Sequence, residues 1–292
     1  MFPAAFEYVA PTNLDQALSI LSSYGPDAKI LAGGQSLIPA MRFRLISPKV
    51  LVDINRVGGL NFLEESDGWL RLGALVRHRD LEVSELIRSR YPLLADTAAV
   101  VADPIVRNLG TVAGSLAHAD PAGDWGAALL AAGAQVVVAG PQGQRTAPLG
   151  GFFTGPLVTV LQPDEVITEV RVPVPGPREA GAYLKIERKV GDFAVAAVGV
   201  QVALDEAGVC RKAGIGLCAV GPTPLQATAA EEWLVGKVPD DDVIRRAGEL
   251  AAAASSPADD TRGPAEYKRD MVRVLTVRAL RRALARIGEV WR

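Results

Sequence analysis

Residues 30–45 read ILAGGQSLIPAMRFRL. An apolar, strand-like run leads into two glycines, Gly33 and Gly34, and then a polar pair, Gln35 and Ser36. Glycine has no Cβ, so its amide can approach another group closely and its backbone can take positive φ. Ser36 can cap a following helix, and Pro39 then falls in the first turn, where its missing N–H costs little. Such a start presents unpaired N–H groups and the positive end of a helix dipole, a natural seat for a diphosphate. The same residues also suit a tight turn with nothing bound, and this stretch alone leaves both readings open. Upstream, PTNLDQALSILSSYG places Leu14, Ala17, Leu18 and Leu21 on one helical face, with Thr12 or Asn13 as cap and Gly25 as stop. AKIL before the glycines and KVLVDI after them read as buried strands. The result is a strand–turn–helix–strand unit of the α/β kind.

A second stretch, NLGTVAGSLAHADPAGDW, shifts the balance towards a ligand. It holds Gly110, Gly114 and Gly123, with Thr111 and Ser115 between them, and their hydroxyls and amides suit phosphate oxygens. Asp120 and Asp124 would repel phosphate but accept hydrogen bonds from ribose or ribityl hydroxyls. Two small-residue loops about 80 positions apart, one followed by acids, fit one extended dinucleotide. The Rossmann fingerprint G-x-G-x-x-G is not met: the order is Gly33, Gly34, Gln35, Ser36, Leu37, Ile38, and Asp53 reads as a strand-end carboxylate.

The rest of the chain divides in two. GWLRLGALV is strand-like and runs into a helical pattern, RHRDLEVSELIRSRYPLLADTAAVVAD, broken once at Pro92. GAALLAAG reads as helix, AQVVVAG as strand, and DEVITEVRVPV as a strand with Val166, Thr168, Val170 and Val172 on one face. PVPGPREAG is the linker, with a boundary near Pro175. Beyond it AYLKIERKV, DFAVAAVGVQVALDEAG and VCRKAGIGLCAVG read as three strands, the last two joined by a Glu-Ala-Gly turn, and three helical segments follow.

Composition narrows the function. The 292 residues, 49% of them hydrophobic, can bury a core, and a net charge of −2 argues against chain-wide nucleic-acid binding. Cys210 and Cys218 fit a reducing cytoplasm as small strand residues and are too few for an iron–sulfur cluster. MFPAAFEYVAP lacks the basic region and apolar core of a signal peptide, and no run is long enough to cross a membrane. No zinc spacing and no serine–histidine–acid set is found, so no metal ligand and no catalytic residue is assigned. His78 reads as a solvated helix start. Lys268, Arg269, Arg273, Arg281 and Arg282 form a basic face of the last helix, expected to be solvated.

The residues now carry a family resemblance. AGGQSLIPAMRFRL resembles the first FAD-binding loop of the medium subunit of molybdenum hydroxylases, the carbon monoxide dehydrogenase and xanthine dehydrogenase group. RNLGTVAGSLAHADPAGDW resembles the second loop, and LKIERKVGDFAVAAV and DDTRGPAEYKRDMVRVLTVRAL resemble the C-terminal domain. The likeness runs from about residue 3 to about residue 285. It implies an α+β fold: a two-subdomain α/β FAD-binding (PCMH-type) domain over 1–175, with subdomains about 1–55 and 56–175. A C-terminal flavoprotein-like domain over 178–288, with a three-stranded antiparallel sheet and helices, would follow.

Residue by residue, the resemblance puts Ala32, Gly33, Gly34, Gln35, Ser36 and Leu37 with Thr111, Val112, Ala113, Gly114 and Ser115 around the FAD pyrophosphate. Asp120 and Asp124 would meet ribityl or ribose hydroxyls. Ile167, Lys185 and Phe193 would line the flavin end, where a lysine cation stabilises the reduced, anionic ring. His118, inside the second loop, is a further candidate contact. Three residues depart from the family: Gln35 stands for a frequent histidine, Ala113 for a frequent glycine, and Phe193 for a frequent tyrosine. Alanine at 113 would be strained if that position needs positive φ.

The resemblance implies an FAD-dependent electron-transfer subunit of a heterotrimeric oxidoreductase. A small partner would bring two [2Fe–2S] clusters and a large partner the molybdopterin, in an (LMS)2 dimer of heterotrimers. Quinone, NAD or oxygen would be the final acceptor. With only two cysteines, the branch whose flavin subunit carries an extra [4Fe–4S] cluster is excluded. The implied location is cytoplasmic, with peripheral attachment to the inner membrane face through the holoenzyme as an option. The alternatives are a self-contained flavoprotein oxidase or reductase of the same superfamily, and a scaffold that has lost FAD, a reading fed by Ala113.

Overall fold

The computed structural model describes residues 2–290, with the backbone alone at 289 and 290, so the expected domain start at residue 1 lies outside the described residues. The first sheet is parallel. Strand β1 (Glu7–Val9), helix α1 (Leu14–Tyr24), β2 (Ala28–Leu31), α2 (Leu37–Arg42) and β3 (Val50–Asp53) follow in turn, and the strands lie in the order β1-β3-β2. β3 is central, and Val50, Leu51 and Val52 are buried, as in a parallel strand covered on both faces. Asn13 caps α1 by accepting from the Gln16 amide at 3.0 Å, and Gly25 ends it at φ +51°.

The second unit opens with β4 (Leu63–Ser66) and β5 (Trp69–Gly73). Six helices follow: α3 (His78–Val83), α4 (Glu85–Arg90), α5 (Pro92–Val100), α6 (Pro104–Leu109), α7 (Val112–His118) and α8 (Asp124–Ala132). β6 (Gln135–Gly140), β7 (Gly143–Pro148), the small hairpin β8 (Phe153–Gly155) and β9 (Val158–Thr159), and β10 (Val166–Pro173) complete it. The main sheet is antiparallel in the order β4-β5-β10-β6-β7.

Three expectations change here. The helical pattern before residue 103 breaks at Ser84 as well as at Pro92, because Ser84 is extended (φ −67°, ψ 124°) and its side chain caps α4. The glycine-bearing second stretch is built of two short helices, α6 and α7, and the start of α8. In β10 a bulge between Ile167 and Glu169 interrupts the alternation, so Val166 to Val170 are all buried.

The C-terminal sheet contains β11 (Glu179–Ile186), β12 (Ala196–Leu204), β13 (Cys210–Cys218) and β14 (Leu225–Gln226), followed by α9 (Thr228–Leu234), α10 (Asp241–Ala254) and α11 (Ala265–Val290). It has four antiparallel strands where three were expected; the addition, β14, is a two-residue edge paired to Gly216 and Leu217, too short to carry a pattern. The Glu206-Ala207-Gly208 turn joins β12 to β13 as expected, with Gly208 at φ +78°.

α8 positions everything that follows. All nine of its residues are buried, as a helix apolar on every face beyond its first residue, Asp124, requires. It lies directly on β13: a Cβ at Gly216 would sit 2.7 Å from the Ala127 carbonyl carbon. Tyr183, Ala197 and Cys218 from the C-terminal sheet join the core built around α8, while the other face of that sheet packs a second core under α10 and α11. Cys210 and Cys218 are buried, unbridged strand residues, as expected. Lys268 is not solvated: it is 3% exposed, donating to Ala258 O at 2.9 Å and pairing with Asp260 at 2.7 Å. Among the described residues, no helix is long and apolar enough to cross a membrane.

Candidate functional site

The first loop leaves β2 after Leu31 and turns at Gly34, φ +72°. Among the described residues, the amides of Gly33, Gly34, Gln35 and Ser36 have no acceptor. Gln35 folds back weakly onto Gly33 O at 3.4 Å. Ser36 holds the cap position of α2, yet its hydroxyl makes no capping bond. Its backbone is near-helical (φ −107°, ψ −45°), whereas a capping side chain needs extended backbone, so the expected cap is not made. Amides and a hydroxyl are thus left available together on one loop.

The second loop joins α6 to α7. Thr111 is extended, and its Oγ1 accepts from the Gly114 amide at 3.0 Å, capping α7. A Cβ at Gly114 would lie 2.6 Å from that oxygen, so the glycine keeps the cap open. Ala113 stands in the first turn of α7 and is not among the residues with positive φ; the strain that fed the scaffold reading is absent. The amides of Thr111 and Ala113 have no acceptor among the described residues. Residues 110–112 are tied to the start of α3 by an antiparallel bridge, with His78 N to Gly110 O at 3.0 Å and Val112 N to Val76 O at 3.4 Å.

The two loops face each other in contact. A Cβ at Gly33 would lie 2.7 Å from Gly110 Cα and 2.9 Å from the Leu109 carbonyl carbon. Only glycine permits this approach, and it sets the free amides of one loop beside those of the other.

The acids separate into two environments. Asp120 is partly open; its Oδ1 accepts from the Ala122 amide at 2.9 Å, and His118 Nε2 stands 3.9 Å from its Oδ2. Asp124, the first residue of α8, is buried. Tyr183 OH donates to its Oδ1 at 2.8 Å, and Lys185 Nζ, with a side chain only 2% exposed, to its Oδ2 at 3.0 Å. Lys185 also donates to Val100 O at 3.0 Å and stands 3.5 Å from Glu187. Burial pushes the Asp124 carboxyl above its ordinary range, against the opposing pull of Lys185 and Tyr183. Glu187 Oε2 is buried with no hydrogen-bond partner among the described residues. Lys185 is therefore a buried cation in a polar cluster beside the second loop rather than a solvated strand lysine.

Two further candidates lie outside both loops. Ile167 is buried in β10 opposite Val138, and Phe193 is 48% exposed on the connection between β11 and β12, with the Arg262 guanidinium 5.7 Å from its ring centre. Sequence reasoning passed over three contributors: Asn55, Arg77 and Tyr183. It also misjudged His78, which is buried, stacks on Trp125 and accepts from Trp125 Nε1 at 3.0 Å. That bond leaves the His78 proton on Nε2, and desolvation, aided by Arg107 and Arg77, lowers its pKa to about 4.

Chemically, the site offers N–H donors from two loops, the hydroxyls of Ser36 and Ser115, and an accessible carboxylate. The donors suit the oxygens of a diphosphate, the carboxylate suits sugar or ribityl hydroxyls, and the residues present fit an FAD.

Comparison with known proteins points the same way. Residues 4–175 match the family described as "FAD binding domain in molybdopterin dehydrogenase". Residues 181–283 match "CO dehydrogenase flavoprotein C-terminal domain". The chain is 40% identical to the carbon monoxide dehydrogenase medium chain of Hydrogenophaga pseudoflava, over 98% of this chain and 99% of that one. It is 38% identical to the 6-hydroxypseudooxynicotine dehydrogenase complex subunit alpha of Paenarthrobacter nicotinovorans, over 98% and 97%. A solved carbon monoxide dehydrogenase from Hydrogenophaga pseudoflava superposes with a TM-score of 0.95 and 42% identity, covering 98% of this chain and 99% of that one.

Proposed function

The chain belongs to the FAD-binding medium-subunit family of the molybdenum hydroxylases, and from that premise we propose that it is the electron-transfer subunit of a three-component enzyme. Its cofactor is FAD and its reaction class is oxidoreduction. In this reading a small partner with two [2Fe–2S] clusters delivers electrons that a large molybdopterin partner has taken from substrate. The medium subunit passes them to quinone, NAD or oxygen. The holoenzyme is an (LMS)2 assembly in the cytoplasm, attached to the membrane at most peripherally. The chain divides near Pro175 into a cofactor domain and a C-terminal domain.

Bound FAD supplies the exchange between one-electron and two-electron chemistry, which is the cofactor's own. The protein's residues bind and orient it. Residues 32–37 and 111–115 donate to the pyrophosphate, with Gly33 setting their spacing. Asp120, the open carboxylate, serves the hydroxyl-bearing part; Asp124, buried under Tyr183, acts there through Lys185, which it anchors and whose side chain is buried near the start of α8. A fixed cation there favours negative charge on whatever lies beside it. Ile167, Phe193 and His118 complete the candidate contacts. The observation that carries the reading is the contact of Gly33 with the Leu109–Gly110 backbone, which makes one cradle from two loops. The 38% match to a 6-hydroxypseudooxynicotine dehydrogenase complex subunit beside the 40% match to a carbon monoxide dehydrogenase medium chain leaves the substrate to the large partner.

The test is purification from the native host under gentle conditions. The expected product is a yellow-brown complex in which this chain, carrying FAD, travels with one iron–sulfur and one molybdenum-bearing subunit. A single-chain preparation that turns over substrate by itself would establish the self-contained flavoenzyme instead.

A further inference from the structure

Two side chains outside both loops connect one to the other. Asn55 follows the end of β3, and its Nδ2 donates to Ala32 O at 2.9 Å. Its Oδ1 accepts from Arg77 Nη2 at 2.5 Å, and Arg77 Nη1 donates to Leu109 O at 2.6 Å. The path Ala32–Asn55–Arg77–Leu109 therefore spans the place where Gly33 meets Gly110. Both ends of this path are anchored. Asp53 Oδ1 accepts from the Asn55 amide at 2.9 Å and from Asn55 Nδ2 at 2.6 Å, while Asp53 Oδ2 accepts from Tyr8 OH at 2.5 Å. With its Nδ2 so committed, Asn55 must turn its Oδ1 to Arg77. Arg77 is held by its own backbone, which bridges Thr111, and by its amide donating to Asp80 at 2.8 Å.

We propose that Asn55 and Arg77 are positioning residues that clasp the two loops at the spacing one FAD pyrophosphate requires. The inference rests on the FAD reading above. Its logic lies in the peptide group. Ala32 C=O and Gly33 N–H belong to one planar trans unit and point in opposite directions. Fixing the carbonyl on Asn55 aims the Gly33 amide away from Asn55, where it has no acceptor among the described residues. Arg77 does the corresponding work on the second loop, holding Leu109 O while its backbone bridges Thr111. Asn55 is exposed and fills no core, so its bonds organise the loops more than they stabilise the fold.

The test uses the full chain stripped of flavin, with Asn55→Ala, Arg77→Lys and the double variant, titrated with FAD by fluorescence quenching and stopped flow. Arg77→Lys keeps the positive charge, so simple attraction to the pyrophosphate is preserved. Each single variant is expected to bind FAD about 10- to 100-fold more weakly. The loss should fall on the association rate, because fewer molecules hold the competent arrangement. The double variant should be no more than about threefold worse than the weaker single, since cutting either link opens the same path. Singles within about twofold of wild type, or losses that multiply in the double variant, would overturn the proposal. Melting of the apo forms serves as the folding control. If Arg77→Lys lowers it by more than about 5 °C, Asn55→Ala alone decides, on the same affinity and association-rate criteria. Wild-type chain that takes up no FAD would remove the functional reading and the clasp together; wild type that binds with indifferent variants removes the clasp alone.

Discussion

Replacing Gly33 with alanine is expected to lower FAD affinity by about 100-fold or more. The added methyl would lie 2.7 Å from Gly110 Cα and 2.9 Å from the Leu109 carbonyl carbon, both far inside van der Waals contact. These are backbone atoms of a segment bridged to Arg77, so they cannot swing aside as a flexible side chain would. The two loops must separate, and the donors that converge on one diphosphate no longer share it. The methyl itself costs the apo protein about 1–3 kcal/mol, the usual scale of overpacking, so the variant remains folded. Gly288→Ala is the matched control: a Cβ there meets nothing within 4 Å, and binding should be unchanged. Isothermal titration of both apo variants checks this. Gly33→Ala binding FAD like wild type would mean that the loops need not touch.

Lys185→Met is expected to be the most destabilising change in the chain's polar interior. Its side chain is 2% exposed, and its ammonium serves Asp124, Val100 O and Glu187. Without it the buried Asp124 carboxylate keeps Tyr183 alone, and breaking a buried ion pair in this way costs about 3–5 kcal/mol. The pH dependence gives the sign. Burial already raises the folded-state pKa of Asp124, and loss of Lys185 raises it further. Below the unfolded-state pKa Asp124 is protonated in both states and the penalty vanishes; it grows as pH rises and is complete above the folded-state pKa. Urea melts of Lys185→Met should therefore approach wild type as pH is lowered, and Asp124→Asn/Lys185→Met should be more stable than Lys185→Met near neutrality. A Lys185→Met protein within about 1 kcal/mol of wild type at every pH would show that the pair is not held in isolation from water.

Much of this was legible in residue order. AKIL and KVLVDI gave up their strands because parallel β2 and β3 are short, apolar and bracketed by turn residues. The two loops were found because glycine and hydroxyl residues cluster where the strand and helix patterns stop. What stayed hidden depended on tertiary partners. Ser36 looks like a cap in sequence, but the turn at Gly34 carries it into near-helical backbone. His78 and Lys268 look solvated until Trp125 and the 258–260 segment cover them. β7, GQRTAP, has no apolar alternation because it is an exposed edge. Asn55 and Arg77 carry no motif; their role comes only from carbonyls 23 and 32 positions away in the chain.

The central claim is that the two distant loops act as one receptor for one flavin. Amide hydrogen exchange, followed across an FAD titration of the apo chain, tests it most directly. Protection should appear together in residues 33–36 and 111–115, with one shared midpoint and a single equivalent of FAD bound. Protection confined to one segment, or two segments responding at different FAD concentrations, would contradict it.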